Sequence, residues 1–236
     1  MQQAIDDHRP GPFLAELRTA FDTALRAMEA ASGPGTAIRV KAFSDNIVFA
    51  LRIANDGEDE MRRIVKAVGG FQCALVLSGT FVRGAVAVGD HYMDNEIIFG
   101  EALLEAYETE RQKTLNPRVI LTPSARSSLA KHLGKYEEDR ALAPQCDILL
   151  VDSDNSYFVN YLAGLEGLTN DERLEQAKRH KRQIEAALRT FVEQPHVRNK
   201  YVWVARFHNY LCVKWILDCR IEDAVIDAGP RRLQDL

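Results

Sequence analysis

The stretch Val40-Lys41-Ala42-Phe43-Ser44-Asp45-Asn46 decides the predicted fold, because it has the pattern of a β-hairpin with a polar tip. Before the tip, Ile38 to Ala42 alternates apolar and basic residues, and Ile47 to Ile53 after it is a second apolar run. Both runs are typical of strands. The residues between them have short polar side chains that favour a turn.

Working outward from the hairpin, helical and strand patterns follow one another along the chain. The predicted elements are a helix at 13–28, the two hairpin strands, a helix from Glu58 through Gly69-Gly70 to residue 78, a strand at 81–88, a strand at 97–99, a helix from residue 102 to Glu110, and a strand at 119–121. This order predicts an α+β fold in which helices cover one face of a sheet.

The pattern changes after residue 145, which divides the chain into a main domain at 1–145 and an extension at 146–236. The extension begins with a predicted strand pair around Asp152-Ser153-Asp154-Asn155. Thr169 and Glu172 have the spacing of a capping box, so a long helix is expected to begin there. An aromatic-rich final helix is predicted around Trp203 to Trp215, and the whole extension is expected to pack on the same core.

Composition narrows the possible functions. The net charge of −4 argues against a nucleic-acid-binding protein, because duplex binding needs a concentrated Lys/Arg surface. The N-terminal residues have no signal-peptide pattern and no apolar stretch is long enough to cross a bilayer, so a cytoplasmic protein without membrane insertion is expected.

The four cysteines include no C-x-x-C pair and are interpreted as buried free thiols. The six histidines show no H-x-x-x-H spacing, and no catalytic role is assigned to them.

Asp45 is the first candidate for chemistry. A carboxylate at a hairpin tip, with Lys41 on the preceding strand, suits a hard divalent cation held near a phosphate. The alternative is that Asp45 forms the turn and Lys41 is solvated.

Arg83 is a second candidate. It precedes Gly84 in a strand where a ligand can approach closely, although it also fits a surface cation. Tyr107 suits stacking on a base but fits the helix core equally well.

Several motifs occur in a defined order between residues 36 and 130. They are the Ser44-Asp45 hairpin, Arg83-Gly84-Ala85 in a strand, Phe99-Gly100 before a helix, and Pro117-Arg118 before a strand. The ordered set resembles the class III nucleotide cyclase family, and within it the pyrimidine cyclases of bacterial Pycsar antiphage systems. The resemblance implies an antiparallel sheet covered by helices, with a ferredoxin-like core, and makes residues 1–145 the catalytic domain.

The resemblance also assigns roles to residues. Asp45 matches the metal-binding Asp of the hairpin, and Lys41, four residues earlier, matches the base-reading position. A purine-reading Asp of the family is replaced here by Ile97, and the family's ribose-orienting Asn and transition-state Arg are replaced by Leu104 and Glu108. The resulting predictions make Asp45 and Arg83 catalytic, with Asp45 as ligand to Mn²⁺ or Mg²⁺. The predicted nucleotide-binding residues are Lys41, Phe43, Ile97 and Tyr107. Other cations considered for binding the triphosphate are Arg111, Lys113 and Arg118.

A second metal-binding Asp in the family lies on a strand before the first helix. Either Asp6 or Asp7 supplies it here, or the translation start lies upstream of Met1.

The implied reaction converts UTP to 3′,5′-cyclic UMP and pyrophosphate. UTP is favoured over CTP because Lys41 could donate a hydrogen bond to O4 of uracil, whereas cytosine has an amino donor there. A cytidylate cyclase remains an alternative, as does an inactive nucleotide-binding regulatory module, since Leu104 and Glu108 replace functional residues. A third hypothesis is an interaction protein built on the C-terminal helices.

The family context implies a homodimer and a separate effector, usually membrane-bound, that responds to the cyclic nucleotide.

Overall fold

The computed structural model describes residues 12–32, 37–43, 46–222 and 229–235. Its helices are α1 (Pro12–Ser32), α2 (Glu58–Leu77), α3 (Glu101–Lys113), α4 (Pro123–Leu133), α5 (Asn170–Thr190) and α6 (Pro195–Lys214). Its strands are β1 (Arg39–Phe43), β2 (Asn46–Ala50), β3 (Gly84–Val86), β4 (Tyr92–Met93), β5 (Ile98–Phe99), β6 (Val119–Leu121), β7 (Leu149–Val151), β8 (Tyr157–Val159) and β9 (Arg231–Arg232). Short 3-10 helices connect several of these elements.

The central sheet of the described residues has the strand order β3-β6-β8-β7-β9. The predicted α+β class is confirmed. The sheet is mixed, however, whereas the resemblance implied an antiparallel one: β3 and β6 run parallel, and the other pairs run antiparallel. Parallel neighbours require a crossover connection, which here includes α3. The strands β7 and β8 belong to this sheet, so it contains residues from both sides of position 145.

Helices cover both faces of the sheet, whereas the sequence predicted cover on one face. Val119 and Leu121 of β6 pack in a cluster with residues of α2 and α4. Ile120, between them, packs on the other side in a cluster with Phe207 and Leu211 of α6. All three β6 residues are buried, and such continuous apolar strands are expected where both faces of a sheet are covered.

The hairpin of β1 and β2 forms a two-stranded sheet of its own among the described residues. It does form as predicted, with Phe43 opposite Asn46. One face of the hairpin packs on α1 and α2, where Ile47 and Phe49 lie in a cluster with Phe71 and its neighbours. Strands β4 and β5 form a second small hairpin, in which Tyr92 is opposite Phe99.

The helix α2 begins at the predicted acidic residues and continues through Gly69 to Leu77, as the sequence predicted. Gly69 lies where α2 crosses the sheet: an added Cβ would be 3.3 Å from Val159 Cγ1 and 3.6 Å from Tyr161 Cα. A glycine in a helix interior is unfavourable, and here its missing side chain allows the close approach.

The C-terminal helices also follow their sequence signals. At the start of α5, the predicted capping box is present: Thr169 accepts from the Glu172 backbone N–H, and the Glu172 side chain accepts from the backbone N–H of Thr169. The aromatic residues of α6 pack on the sheet, with Phe158 contacting both Trp203 and Phe207 edge to face.

Lys135 links the end of α4 to the start of α2. Its Nζ donates to the carboxylates of Asp56 and Glu58, and its hydrogen bond to Asp56 lowers the pKa of that carboxyl. A lowered folded-state pKa means that stability is present above the ordinary carboxyl pKa and is lost as pH falls toward the folded-state value.

We therefore expect Lys135→Gln to reduce the loss of stability between about pH 5 and pH 3, because the Asp56 pKa returns toward its unfolded value. The measurement is the urea midpoint of the wild type and the variant at both pH values. Lys131→Gln, at an exposed position of α4, is the matched control and should lose stability in acid as the wild type does. An equal acid loss in the Lys135 variant would contradict the assignment.

Candidate functional site

The predicted metal ligand Asp45 and its neighbour Ser44 lie outside the described residues, as do Asp6 and Asp7. Their roles therefore stay predictions. The strands on either side of the hairpin tip are described, and they place the two ends of the loop next to each other, with Phe43 paired to Asn46.

Two basic side chains of β1 reach the β4–β5 hairpin. Arg39 Nη1 donates to the Met93 carbonyl at 2.5 Å, and Lys41 Nζ donates to the Asp94 carbonyl at 3.2 Å. Because side chains alternate along a strand, Arg39, Lys41 and Phe43 share the hairpin face opposite the one that packs on α2. These contacts place that face beside the second hairpin.

A tight turn next to Lys41 holds Ile97. The Asp94 carboxylate accepts hydrogen bonds from the backbone N–H groups of Glu96 and Ile97, both at 2.8 Å, and from the hydroxyl of Tyr92. The bond from the Ile97 N–H is the main reason that the pKa of Asp94 is lowered. The Ile97 side chain is 51% exposed. The structure thus places two predicted nucleotide-binding residues, Lys41 and Ile97, at the same turn.

Aromatic rings are exposed around this turn. The Phe43 side chain is exposed at the end of β1. Tyr92 and Phe99 stack with ring centroids 5.3 Å apart, and both are about half exposed. Exposed rings of this kind can stack on the face of a nucleobase. Sequence reasoning missed Tyr92 and Asp94, although the polar Asp94-Asn95-Glu96 segment between Tyr92 and Phe99 is typical of a hairpin.

Arg83 and Tyr107 belong to a second group, centred on α3. Arg83 Nε pairs with Glu110 Oε1 at 2.5 Å, and Nη1 donates to the Thr114 carbonyl at 3.0 Å. Tyr107 lies one helical turn before Glu110 and is exposed, as is Leu104 a further turn back. The contacts therefore place the five described site residues in two groups, one at the hairpins and one on α3.

Arg118, considered as a triphosphate cation, lies in the core at 2% exposure. Its guanidinium pairs with Asp152 and Asp154, and it lies 5.6 Å from the centre of the Trp203 ring. The guanidinium of Arg118 is therefore bound to other side chains in the protein interior. Arg111 and Lys113 are exposed near the C-terminal end of α3.

A cavity of about 400 Å³ lies among α3, β6 and α4. Its lining includes Lys113, Arg126 and Tyr157, and the Arg126 guanidinium lies over the Tyr157 ring at 4.7 Å. Thr109 of α3 also lines it, about 200° around the helix from Tyr107. The cavity is therefore on the opposite side of α3 from the exposed Tyr107.

The four cysteines carry free thiols in the structure, and three of them are buried while Cys73 is half-buried. Two of those, Cys212 and Cys219, lie beside His208, and the ligand atoms of all three are within 4.8 Å of one another. The hydrogen bond from the Cys212 thiol lowers the pKa of Cys219 below its ordinary value. Sequence reasoning missed this cluster; the only signal was the four-residue spacing of His208 and Cys212 on a predicted helix.

Comparison of the chain with protein-family models, with curated proteins and with solved structures found no match. No helix in the described part of the chain combines the length and the apolar character needed to cross a bilayer. The function is therefore inferred from the residues themselves and from the resemblance of their motifs.

Proposed function

We propose that the protein is a pyrimidine nucleotide cyclase that converts UTP to 3′,5′-cyclic UMP and pyrophosphate, as the second-messenger synthase of a bacterial antiphage system of the Pycsar type. A separate effector, in the family context a membrane protein, responds to the product. The alternatives are a cytidylate cyclase that acts on CTP and an inactive nucleotide-binding regulatory module.

The observation that supports the proposal is the position of Lys41. The lysine proposed to read the base donates to the same turn that holds Ile97, where purine cyclases have an acidic base reader. An ammonium group suits the O4 or O2 acceptors of uracil, and the apolar Ile97 offers no acceptor for a purine amino group. Phe43 and the stacked pair of Tyr92 and Phe99 add exposed aromatic surface.

The proposed reaction is an in-line displacement. The ribose 3′-oxygen forms a bond to the α-phosphorus, the bond between that phosphorus and the pyrophosphate oxygen breaks, and the hydroxyl proton passes to solvent. Mn²⁺ or Mg²⁺ at Asp45 would supply Lewis-acid activation and neutralise phosphate charge. Arg83, which is 44% exposed, is the proposed cation for the leaving pyrophosphate.

The proposed hard cation is assigned to Asp45 and not to the metal-ligating cluster found among the described residues. Their one group of three metal-ligating side chains is His208, Cys212 and Cys219, and thiolates are poor ligands for Mn²⁺ and Mg²⁺. The proposed hard-cation site therefore stays with Asp45 at the hairpin tip, with Asp6 or Asp7 as the proposed second acidic ligand.

A homodimer is part of the proposal. Lys41 with Ile97, and Arg83 with Tyr107, lie in two separate groups on one chain, and a second copy could bring the base-reading group of one chain to the phosphate-binding group of the other. Exposed apolar side chains occur in both groups, including Phe43, Ile97, Leu104 and Tyr107, as expected for a surface that is covered on association.

We expect Asp45→Asn to lower cyclic UMP formation by more than about 100-fold, because a lost metal ligand removes activation of the attacking hydroxyl. Purified protein is incubated with each of the four nucleoside triphosphates and Mn²⁺, and cyclic products are measured by mass spectrometry. Asp59→Asn is the matched control, since Asp59 is exposed in the first turn of α2 and should leave turnover unchanged.

The possible outcomes separate the functional classes. Cyclic UMP from the wild type supports the proposal, and cyclic CMP as the main product favours the cytidylate alternative. Nucleotide-dependent thermal stabilisation without turnover supports a regulatory module. Neither binding nor turnover with any of the four nucleotides would exclude the proposal and favour an interaction protein.

A further inference from the structure

Three soft metal ligands meet between α6 and the segment that follows it. His208 and Cys212 are four residues apart on α6, so both lie on one helix face. Cys219 returns to that face after a turn in which Ile216 has a φ of 57°. All three are buried, with exposures of 1%, 2% and 6%.

The distances from Cys212 Sγ to the other two ligand atoms are close to those of a tetrahedral metal site. The Cys212 Sγ lies 3.3 Å from His208 Nε2 and 3.4 Å from Cys219 Sγ. Around Zn²⁺, with bonds of about 2.3 Å to sulfur and about 2.0 Å to nitrogen, tetrahedral angles separate such atoms by roughly 3.5–3.8 Å. The two distances from Cys212 Sγ are within a few tenths of an ångström of these values, and the third pair, His208 and Cys219, lies within 4.8 Å.

Charge and ligand type favour zinc over other common cations. Two thiolates and a neutral imidazole carry a charge of −2, which a divalent cation neutralises, so the complete site adds no net charge to the buried region. Sulfur and imidazole ligands suit Zn²⁺, whereas Mg²⁺ and Mn²⁺ prefer oxygen.

Hydrogen bonds behind His208 hold the imidazole in position. His208 Nδ1 lies 3.1 Å from His180 Nδ1, and His180 Nε2 lies 3.0 Å from the Tyr161 hydroxyl. His208 Nε2 donates to the Cys219 carbonyl at 2.9 Å. In the other neutral tautomer of both rings, His208 donates from Nδ1 to His180 Nδ1 and His180 donates from Nε2 to the Tyr161 hydroxyl oxygen. His208 then presents a bare Nε2, which is how metal-binding histidines are normally oriented.

The segment that carries Cys219 is also fixed to α6 near the cluster. The Asn209 side chain donates to the Ile221 carbonyl at 2.8 Å and accepts from the Ile221 backbone N–H at 2.7 Å. Leu217 of the same segment packs against the buried cluster that includes Ala177 of α5. An ion at the cluster would therefore tie this segment to α6 at a second point.

We propose that His208, Cys212 and Cys219 bind one Zn²⁺ ion, with water as the fourth ligand, and that the ion stabilises the C-terminal part of the fold. The proposed role of the ion is structural, and its sulfur and imidazole ligands differ from the oxygen ligands proposed for the hard cation at Asp45. Each cysteine loses its thiol proton to solvent when its Zn–S bond forms, so the sulfur is not oxidised and no further reactant is needed.

The first experiment measures zinc in the full chain purified under reducing conditions from zinc-supplemented cells. We expect about one zinc per chain, lost on treatment with a chelator and restored by Zn²⁺. Cys212→Ser and Cys219→Ser should each lose most of the zinc. Cys146→Ser is the matched control, because Cys146 is also buried but bonds to the Arg140 carbonyl in a different cluster, and its zinc content should match the wild type.

Measurements on the wild type keep the proposal testable if the serine variants fail to fold. Co²⁺ added to the chelated protein should produce thiolate-to-cobalt charge-transfer absorption. Free Zn²⁺ at about 100 times the Kd should raise the Tm of the chelated wild type by roughly 5–10 °C.

Two results would overturn the proposal. One is reduced protein with four titratable thiols that takes up neither Zn²⁺ nor Co²⁺ and whose Tm is unaffected by Zn²⁺. The other is a Cys212–Cys219 disulfide in the purified protein, with reduction failing to create zinc binding. Neither result depends on whether the protein forms a cyclic nucleotide.

Discussion

Replacing Arg118 with methionine is expected to lower the free energy of unfolding by about 3 kcal/mol, near the lower end of the cost of breaking a buried ion pair. The Arg118 guanidinium is buried, and the variant leaves the Asp152 carboxylate, only 14% exposed, without its cation. The Trp203 indole N–H still donates to Asp152 at 2.6 Å, which limits the loss. Asp154 is half exposed and contributes less because solvent screens its charge.

Urea denaturation measures this loss, and Arg111→Met is its control because Arg111 is exposed on α3. The control should change stability by no more than about 0.5 kcal/mol. Adding Asp152→Asn to the Arg118 variant should recover part of the stability, since the unpaired charge is then absent. A loss below about 1 kcal/mol together with weaker nucleotide binding would mean that Arg118 serves the triphosphate and not the core.

Local signals in the sequence predicted most elements of the fold. The acidic residues at the start of α2, the capping box of α5 and the apolar run of β6 each depend on neighbouring residues, and all three appear as predicted. The strand expected at 81–88 is shorter, at Gly84–Val86. The helix α4 was not predicted, although Thr122 as N-cap followed by Pro123 is a recognised start signal.

Strand pairing was not predictable in the same way, because it depends on contacts between distant residues. The parallel pairing of β3 with β6, and the position of the β1–β2 hairpin on α1 and α2, are decided by which apolar faces meet. The pattern of Val119-Ile120-Leu121 predicts burial but does not show that Ile120 packs against α6 while its neighbours pack against α2 and α4.

The candidate site shows the same limit. Lys41 was predicted from the hairpin, but its hydrogen bond to the Asp94 carbonyl joins residues 53 positions apart. The pairing of Arg83 with Glu110 and the return of Cys219 to His208 are likewise tertiary contacts. Residue types and their spacing identify the side chains that are chemically capable of binding or catalysis. The tertiary fold determines which of those side chains are in contact.

Gly100→Ala is expected to lower the free energy of unfolding by about 2–5 kcal/mol, the combined cost of a strained backbone and an overpacked contact. Gly100 has a φ of 141°, a conformation that residues with a Cβ rarely adopt, at the junction of β5 and α3. An added Cβ would lie 2.5 Å from both the Asp90 carbonyl oxygen and His91 Cα, which are backbone atoms and cannot rotate away. Relief therefore requires the start of α3 to move.

The matched control for this prediction is Gly134→Ala, at the end of α4. Gly134 has a helical φ of −60°, and an added Cβ meets no atom within 4 Å, so the change should alter stability by less than about 1 kcal/mol. Urea denaturation of both variants gives the comparison. Equal stability of the two variants would mean that β4 and α3 are not packed as closely as Asp90, His91 and Gly100 indicate. A selective loss in Gly100→Ala, in contrast, would confirm the junction that positions Ile97 and Tyr107 on either side of it.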